Sequence, residues 1–405
     1  MNSMKRRKTP PWLNRTVLGI GLASLLSDWS HETATALMPA FLATMGASAA
    51  WLGAIEGISD GLSSLAKLGS GYYTDQLRRR KPIAVLGYLV TTGGVAAFAL
   101  ATQAWHLLLA RSVAWLGRGV RTPVRKALLA AASTPETYGR AFGFERMMDT
   151  LGAVIGPATA LLLLASLHGS YTALFAFTII PGLAATAAIA FLVREKERLP
   201  VKHISFSGRL AALPPPFRKF LVAVGLFGAG DFAHSMLILL AAQQLTPQLG
   251  AAKAASVAVG LYVLHNVFYA AFAFIAGWLA DHFEKRRLLA GSYALTAAMA
   301  LVVVFAPLNL PVLAVVFILA GICVAAEEAL EDSFAAQLVD EAQHGMGFGV
   351  LATVNGVGDF LSSLVVGALW AAFGAPAAFA YSAVLFLAGA VLVWRLKEAG
   401  IPPEL

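Results

Sequence analysis

The feature that most constrains this chain is a succession of long apolar runs, each closed by a short break of charged residues, Gly or Pro. They fall near 16–43, 50–74, 82–102, 105–132, 139–166 and 171–193, then 219–244, 254–280, 288–306, 310–338, 346–372 and 375–395. A helix rises about 1.5 Å per residue and the bilayer hydrocarbon is about 30 Å thick, so about 20 apolar residues cross it. Twelve such runs account for nearly all of the 405 residues, leaving no room for a separate soluble domain. The expected fold class is therefore all-α and polytopic, with twelve transmembrane helices in two six-helix sets. Hydrophobic residues make up 58% and charged residues only 13%, against about 25% charge in soluble proteins, which argues against a water-soluble enzyme.

The net charge of +8 raises the question of nucleic acid, but its distribution answers against it. The basic residues lie between or inside apolar runs rather than on one aromatic-interleaved face. Cys323 is the single cysteine, which excludes an intrachain disulfide and any multi-thiolate metal site. No phosphate-loop motif, His-Glu-x-x-His pair or Gly-x-Ser-x-Gly elbow occurs, so neither a nucleotide-driven step nor an intramembrane hydrolase is expected, and no cofactor. The basic tail Lys5, Arg6, Arg7 and Lys8 superficially resembles a secretory signal. The apolar stretch behind it is too long for a signal core and carries Asp28, His31 and Glu32, so it is expected to be a retained first span.

The longest polar stretch separates the two sets, giving expected units of 1–193, a linker 194–218 and 219–405. Alternate loops differ sharply in charge. Twenty-two Lys and Arg fall on the side of the N-terminal tail, Arg78 to Lys81, Arg140, the linker, Lys285 to Arg287 and the C-terminus; only Lys253 falls on the other. The positive-inside rule then places both termini and the linker in the cytoplasm, with the inner membrane of a bacterium as the expected location.

The two sets also resemble each other. A shift of 206 positions lays Gly71 and Asp75 on Gly277 and Asp281, and Gly139, Phe142 and Gly143 on Gly345, Phe348 and Gly349. It also lays Asp60 on Asn266 and Asp149 on Asn355, while a shift of 203 pairs Asp28 and His31 with Asp231 and His234. Matches in several spans indicate a duplication, a common way of building transporters.

Ionisable groups inside the runs cost about 2.5 to 3.5 kcal/mol each at mid-bilayer, so they are expected to face a cavity or one another. The first span holds Asp28, His31 and Glu32; the fourth holds Arg111, Arg118, Arg121, Arg125 and Lys126. The seventh holds Asp231 and His234, and the tenth Glu327, Glu328, Glu331 and Asp332. Asp28 with His31, and Asp231 with His234, are three apart and share a helix face near the midplane. A carboxylate beside an imidazole suits proton coupling or substrate contact; a hydrogen bond that only packs the helices, or a four-ligand divalent-metal site, are the alternatives. Glu32, Glu56 and Asp60 add negative charge toward the outer half and favour a cationic or zwitterionic cargo, although Arg111 and Arg118 oppose that. Tyr262, His265, Asn266 and Tyr269 offer a further ligand surface, or an aromatic packing stripe.

The 206 shift lays Arg121, Arg125 and Lys126 over Glu327, Glu331 and Asp332. These are expected to pair across a pseudo-twofold axis as a gate, with Asp75, Glu145, Arg146, Asp149, Asp281, Glu328, Asn355 and Asp359 supporting it; fixed ion pairs inside each half are the alternative. Lys67 receives no role.

Gly71-Tyr-Tyr-Thr-Asp75-Gln-Leu-Arg78-Arg79-Arg80 is similar to the loop signature of the major facilitator superfamily, and Gly277-Trp-Leu-Ala-Asp281 with Lys285-Arg286-Arg287 resembles its weaker second copy. Gln76 and Arg78 depart from that pattern. Arg111 with Gly117 and Gly119 resembles the fourth-span signature of proton-coupled members, and Gly152 to Gly156 with Pro157 resembles the fifth-span signature of antiporter-type exporters. The resemblance covers essentially the whole chain. It implies a cavity lined by spans one, four, seven and ten, alternating access, a small organic substrate, protons as coupling ion and a monomer in the lipid bilayer, with transport of a metal ion or metal chelate as the alternative.

Overall fold

A computed structural model describes residues 12–47, 49–167, 170–195, 197, 205–232 and 234–396 of this protein. The basic tail Lys5 to Lys8, together with Lys196, Arg198, Lys202 and Lys397, lies outside them, as does the side chain of His234. Every regular element among the described residues is helical.

Helix boundaries follow local chemistry. α1 (Arg15–Thr44) starts where the Asn14 side chain accepts from the backbone N–H groups of Thr16 and Val17 at 3.0 and 3.1 Å. α2 (Ala49–Thr74) and α3 (Lys81–Ala96) flank the first basic loop, with Pro82 in the opening turn of α3. α4 (Ala104–Ala131) and α5 (Tyr138–Ser166) follow, then a sixth span assembled from α6 (Tyr171–Phe177), α7 (Ile179–Ala187) and a closing π turn. After the linker helix α8 (Phe206–Ala212) come α9 (Pro215–Gly228), α10 (His234–Leu249), α11 (Ala251–His282) and α12 (Lys285–Phe305). α13 (Leu310–Leu338), α14 (His344–Phe373) and α15 (Ala375–Trp394) complete the chain. Gly250 and Gly374 join α10 to α11 and α14 to α15 in a single residue each; their φ of 78° and 85° is a conformation that any side chain would strain.

Two expectations need correction. The seventh span is not continuous: α9 ends at Gly228 and α10 begins at His234, with Asp231 in the break. Gly228-Ala-Gly230-Asp231 is a poor helix former, and a Cβ at Gly230 would stand 2.8 Å from Leu385 Cβ, so the sequence yields there to close packing. The linker is more than a solvated loop, because it carries α8, bent 96° from α9. Ser205 caps α8, and its Arg209 lies 5.3 Å over the Tyr72 ring with Phe206 edge-on to the same ring at 5.5 Å.

Among the described residues, eight helical segments are long and apolar enough to cross a membrane unaided. α1, α2 and α4 have the length, at 30, 26 and 28 residues, but carry the charged residues picked out above. The helices form two pseudo-symmetric bundles. α1 packs on α5 and α7, and α4 on α2 and α3, in the first; α12 packs on α13 and α15, and α11 on α13, in the second. The bundles meet along two seams, α5 against α11 and α2 against α14. Both seams are made by glycine. A Cβ at Gly139 would stand 2.1 Å from the Gly277 carbonyl oxygen, and one at Gly71 would stand 2.4 Å from that of Gly345. Trp12 covers the first seam, 6.0 Å from Phe144 of α5 and 5.6 Å from Phe274 of α11.

Candidate functional site

The seams lie at the end of the molecule that bears the basic loops, and an aspartate locks each. Asp75 at the end of α2 accepts from the backbone N–H groups of Gly345 (3.0 Å) and Met346 (2.8 Å), the first turn of α14 in the other bundle. Asp281 at the end of α11 accepts from those of Gly139 (2.7 Å) and Arg140 (3.0 Å), the first turn of α5. Every residue in one lock lies 206 positions from its counterpart in the other. A carboxylate at a helix N-terminus meets unpaired N–H donors and the positive end of the helix dipole, so each lock holds the bundles together by charge and by hydrogen bond. Arg80 takes the intraloop role, 2.5 Å from Asp75. Asp281 is met instead from the opposite bundle, by Arg140 Nε at 2.6 Å.

Above the seams the fourth, fifth and tenth spans form an ionic layer, and here the expected pairing is only partly met. Lys126 does reach Asp332 across the interface, at 2.6 Å. Arg125 does not reach Glu331: it pairs with Glu145 (2.8 Å) and Asp149 (3.4 Å) inside its own bundle and donates to Ser24 at 2.7 Å. Glu331 turns instead to the Tyr293 hydroxyl and to Asn355 Nδ2, at 2.9 Å from the latter. Arg121 does not reach Glu327 either; it is buried over the Tyr88 ring, 4.1 Å from the centroid. The reason is helical rotation. Successive residues point about 100° apart, so Arg125 and Lys126 cannot both face the same neighbour. Arg146 supplies the second bridge, 3.1 Å from Asp149 and 3.0 Å from Glu328 of the other bundle, with Tyr269 also donating to Glu328. Glu327 and Asp359 make no ion pair with the gate among the described residues. Glu327 lies in the field of Asp231, Glu331, Glu328 and Asp359, and Asp359 in that of Lys67.

Beyond the layer, α1 and α4 build a polar cluster. His31 is 1% exposed, its Nδ1 donating to the Ser27 carbonyl at 2.9 Å and standing 3.5 Å from Asp28 Oδ1. Its Nε2 meets Arg118 Nη1 at 3.0 Å and Glu32 Oε1 at 3.1 Å. Arg118 Nη2 stands 4.0 Å from Asp28 Oδ2. Close approach of α5 makes this possible, for Cβ atoms at Gly152 and Gly156 would stand 2.3 Å from the Leu25 carbonyl oxygen and 2.7 Å from Glu32 Cβ. Arg111 lies 4.0 Å over the Trp115 ring, whose Nε1 donates to Asp60 at 2.6 Å, while Glu56 is exposed nearby on α2. Trp115 was not singled out from the sequence. Its position between Arg111 and Arg118 at helical spacing was the available signal, and it forms the platform on which both guanidinium groups lie, Arg118 at 5.6 Å.

The eighth span contributes less than expected. His265 is 1% exposed and stacks on Tyr262 of the same helix at 5.6 Å, so it shows no surface to a ligand; Tyr262 and Asn266 stay half-buried. The divalent-metal alternative names Asp28, His31, Asp231 and His234, of which the side chain of His234 lies outside the described residues. Among the described residues no three His, Cys, Asp or Glu side chains converge for a metal, and both His31 nitrogens are engaged.

Two helical bundles closed on each other at one end, with charged side chains held between them in the membrane-spanning region, define a polytopic membrane transport protein. The profile of the Major Facilitator Superfamily matches residues 20–245 and 220–404, and the chain belongs to that family. It is similar to an uncharacterized MFS-type transporter of Methanocaldococcus jannaschii, 26% identical over 97% of each chain. The multidrug resistance protein MdtH of Proteus mirabilis is 26% identical over 76% of each chain. Among solved structures, the fold matches FucP in its outward conformation, with a TM-score of 0.77 at 15% identity over 95% of this chain and 99% of that one. A second structure of that protein, the E. coli fucose:proton symporter, matches with a TM-score of 0.74 at 16% identity. The chain is a transporter and not an enzyme.

Proposed function

We propose that this protein is a secondary transporter working by alternating access, exchanging protons for a small organic cation or zwitterion that it exports across the inner membrane of a bacterium. In this reading units 1–193 and 219–405 rock about the linker 194–218, both termini are cytoplasmic, and a monomer suffices. The basic-loop end is then the cytoplasmic end, and the structure is the outward-facing state.

The observation that carries this reading is the paired aspartate lock. Asp75 and Asp281 each seize the first turn of a helix in the opposite bundle, at contacts that vanish when the bundles separate at that end. Contacts that are strong in one state and absent in the other are what a two-state transporter requires. Lys126 with Asp332, and Arg146 with Glu328, add charge pairs to the same state. Asp28, Glu32, Glu56 and Asp60 supply negative charge to the side opposite the locks, which favours a positively charged group on the cargo. The likeness to MdtH, a multidrug resistance protein, supports export of an organic molecule.

A proteoliposome assay with an imposed pH gradient and a panel of labelled organic cations and zwitterions tests this. Exchange of a cation or zwitterion driven by the gradient is the expected result. Counterflow that persists with no proton movement removes the coupling, and a panel of organic anions moving instead removes the cargo class.

A further inference from the structure

His31 Nε2 stands within hydrogen-bond distance of two groups that it cannot serve at once. A guanidinium only donates, so contact with Arg118 Nη1 at 3.0 Å needs a lone pair on Nε2. A carboxylate only accepts, so contact with Glu32 Oε1 at 3.1 Å needs a proton there. The other ring nitrogen offers no escape, because the Ser27 carbonyl at 2.9 Å fixes a proton on Nδ1 in either case. One proton on one atom therefore decides which neighbour the ring holds.

We infer that His31 is a positioning residue whose Nε2 carries the coupling proton, and that protonation passes the ring from Arg118 to Glu32 and drives Arg118 onto Asp28. This rests on the proton-coupled reading above and says how it is carried out. The proton enters through Glu32, whose side chain is 29% exposed, whereas those of His31 and Asp28 are 1% and 5% exposed. It leaves the Glu32 carboxyl for the Nε2 lone pair, giving a carboxylate hydrogen-bonded to an imidazolium. Arg118 then loses its acceptor and faces a like charge; the nearest carboxylate oxygen is Asp28 Oδ2 at 4.0 Å. With His31 neutral, Arg118 is held back and Asp28 keeps an oxygen, Oδ1, that accepts no hydrogen bond. That oxygen is the free anchor for the positive group of the cargo. Closing Arg118 on Asp28 displaces it, so proton and cargo exclude each other.

The charged and titratable groups around this cluster are Asp28 and Glu32 on α1, Lys67 on α2, Arg111, Arg118, Arg121 and Arg125 on α4, Asp149 on α5 and Tyr262 on α11. Two of them touch Nε2, and their removal has opposite signs. Solid-state 15N spectra of the full chain, labelled at histidine and held in liposomes with no substrate and no gradient, read the ring directly once the His31→Asn spectrum is subtracted. The expected parent carries its proton on Nδ1 at high pH and gains one at Nε2 as pH falls. Glu32→Gln moves that midpoint to lower pH and Arg118→Gln to higher pH, each by about one unit or more. Glu32→Asp returns it toward the parent. Glu32→Gln keeps the side chain's volume and polarity, so it decides the matter even where Arg118→Gln does not fold. A midpoint unmoved by Glu32→Gln, shifts of the same sign, or loss of the proton from Nδ1 instead would overturn the inference. If these shifts appear and proton-driven exchange does not, the transport reading fails and the assignment to Nε2 stands.

Discussion

Arg125 shows what single residues do in this layer and how far they can be read from sequence. The residue type and depth were legible: an arginine inside an apolar run must meet an acid. Its partner was not, because the 206-residue shift matches depth along the axis and says nothing about rotation about it. Glu328 and Asp332 are four apart and form the face that crosses to the other bundle, while Glu327 and Glu331 form a second face turned toward Tyr293 and the acidic break of the seventh span. Arg125 neutralises the buried Glu145 and shares Asp149 with Arg146 within its own bundle, so its loss strands Glu145. Arg125→Met is expected to lower stability by about 3 to 5 kcal/mol, as for other buried pairs deprived of one member. Lys126→Met strands one partner that Arg146 also approaches, at 4.0 Å, and is expected to lower it less. Thermal unfolding of the purified variants in one detergent ranks the two, and equal losses would contradict this division between structural and gating pairs.

The elements behave as rigid rods whose contacts are set by what they lack. At the α5–α11 seam, Gly139 and Gly277 stack carbonyl on Cα, leaving no space for a side chain. Adding a methyl there overpacks only the state in which the seam is closed, at about 1 to 3 kcal/mol. Gly139→Ala is therefore expected to depopulate the closed-seam state and slow transport about tenfold, with helicity unchanged, as read by far-UV circular dichroism beside transport. The glycines were legible as matched repeats, but their contact was not, since nothing in a one-dimensional match says that Gly71 meets Gly345 rather than Gly277. The break in the seventh span went unseen for a related reason: mean apolarity across 219–244 hides two glycines and an aspartate within four residues. α8 was hidden inside a polar linker because seven residues give too short a period to register.

At the scale of the whole molecule, duplication is the property from which the rest follows. Two copies of one six-helix design, related by the 206-residue shift, present the same aspartate to the same helix turn, so a single interaction locks both seams. What has diverged is charge. Where the first unit has Arg121, Arg125 and Lys126, the second has Glu327, Glu331 and Asp332. That asymmetry puts charge pairs, Lys126 with Asp332 and Arg146 with Glu328, between two otherwise matched bundles. Exchanging the signs of one pair tests it: Lys126→Asp and Asp332→Lys alone are each expected to abolish exchange, and the double variant to regain at least part of it. A double variant as inactive as either single one would show that the pair does not act across the interface.

The distance between the two basic loops tests the two-state account most directly. Spin labels at Arg79 and Arg287, both largely exposed and on opposite bundles, report it by pulsed electron resonance in nanodiscs. The account predicts a short distance in the parent and a population shifted to a longer one when Asp75→Asn and Asp281→Asn are combined. One distance, unchanged by removal of both locks, would contradict it.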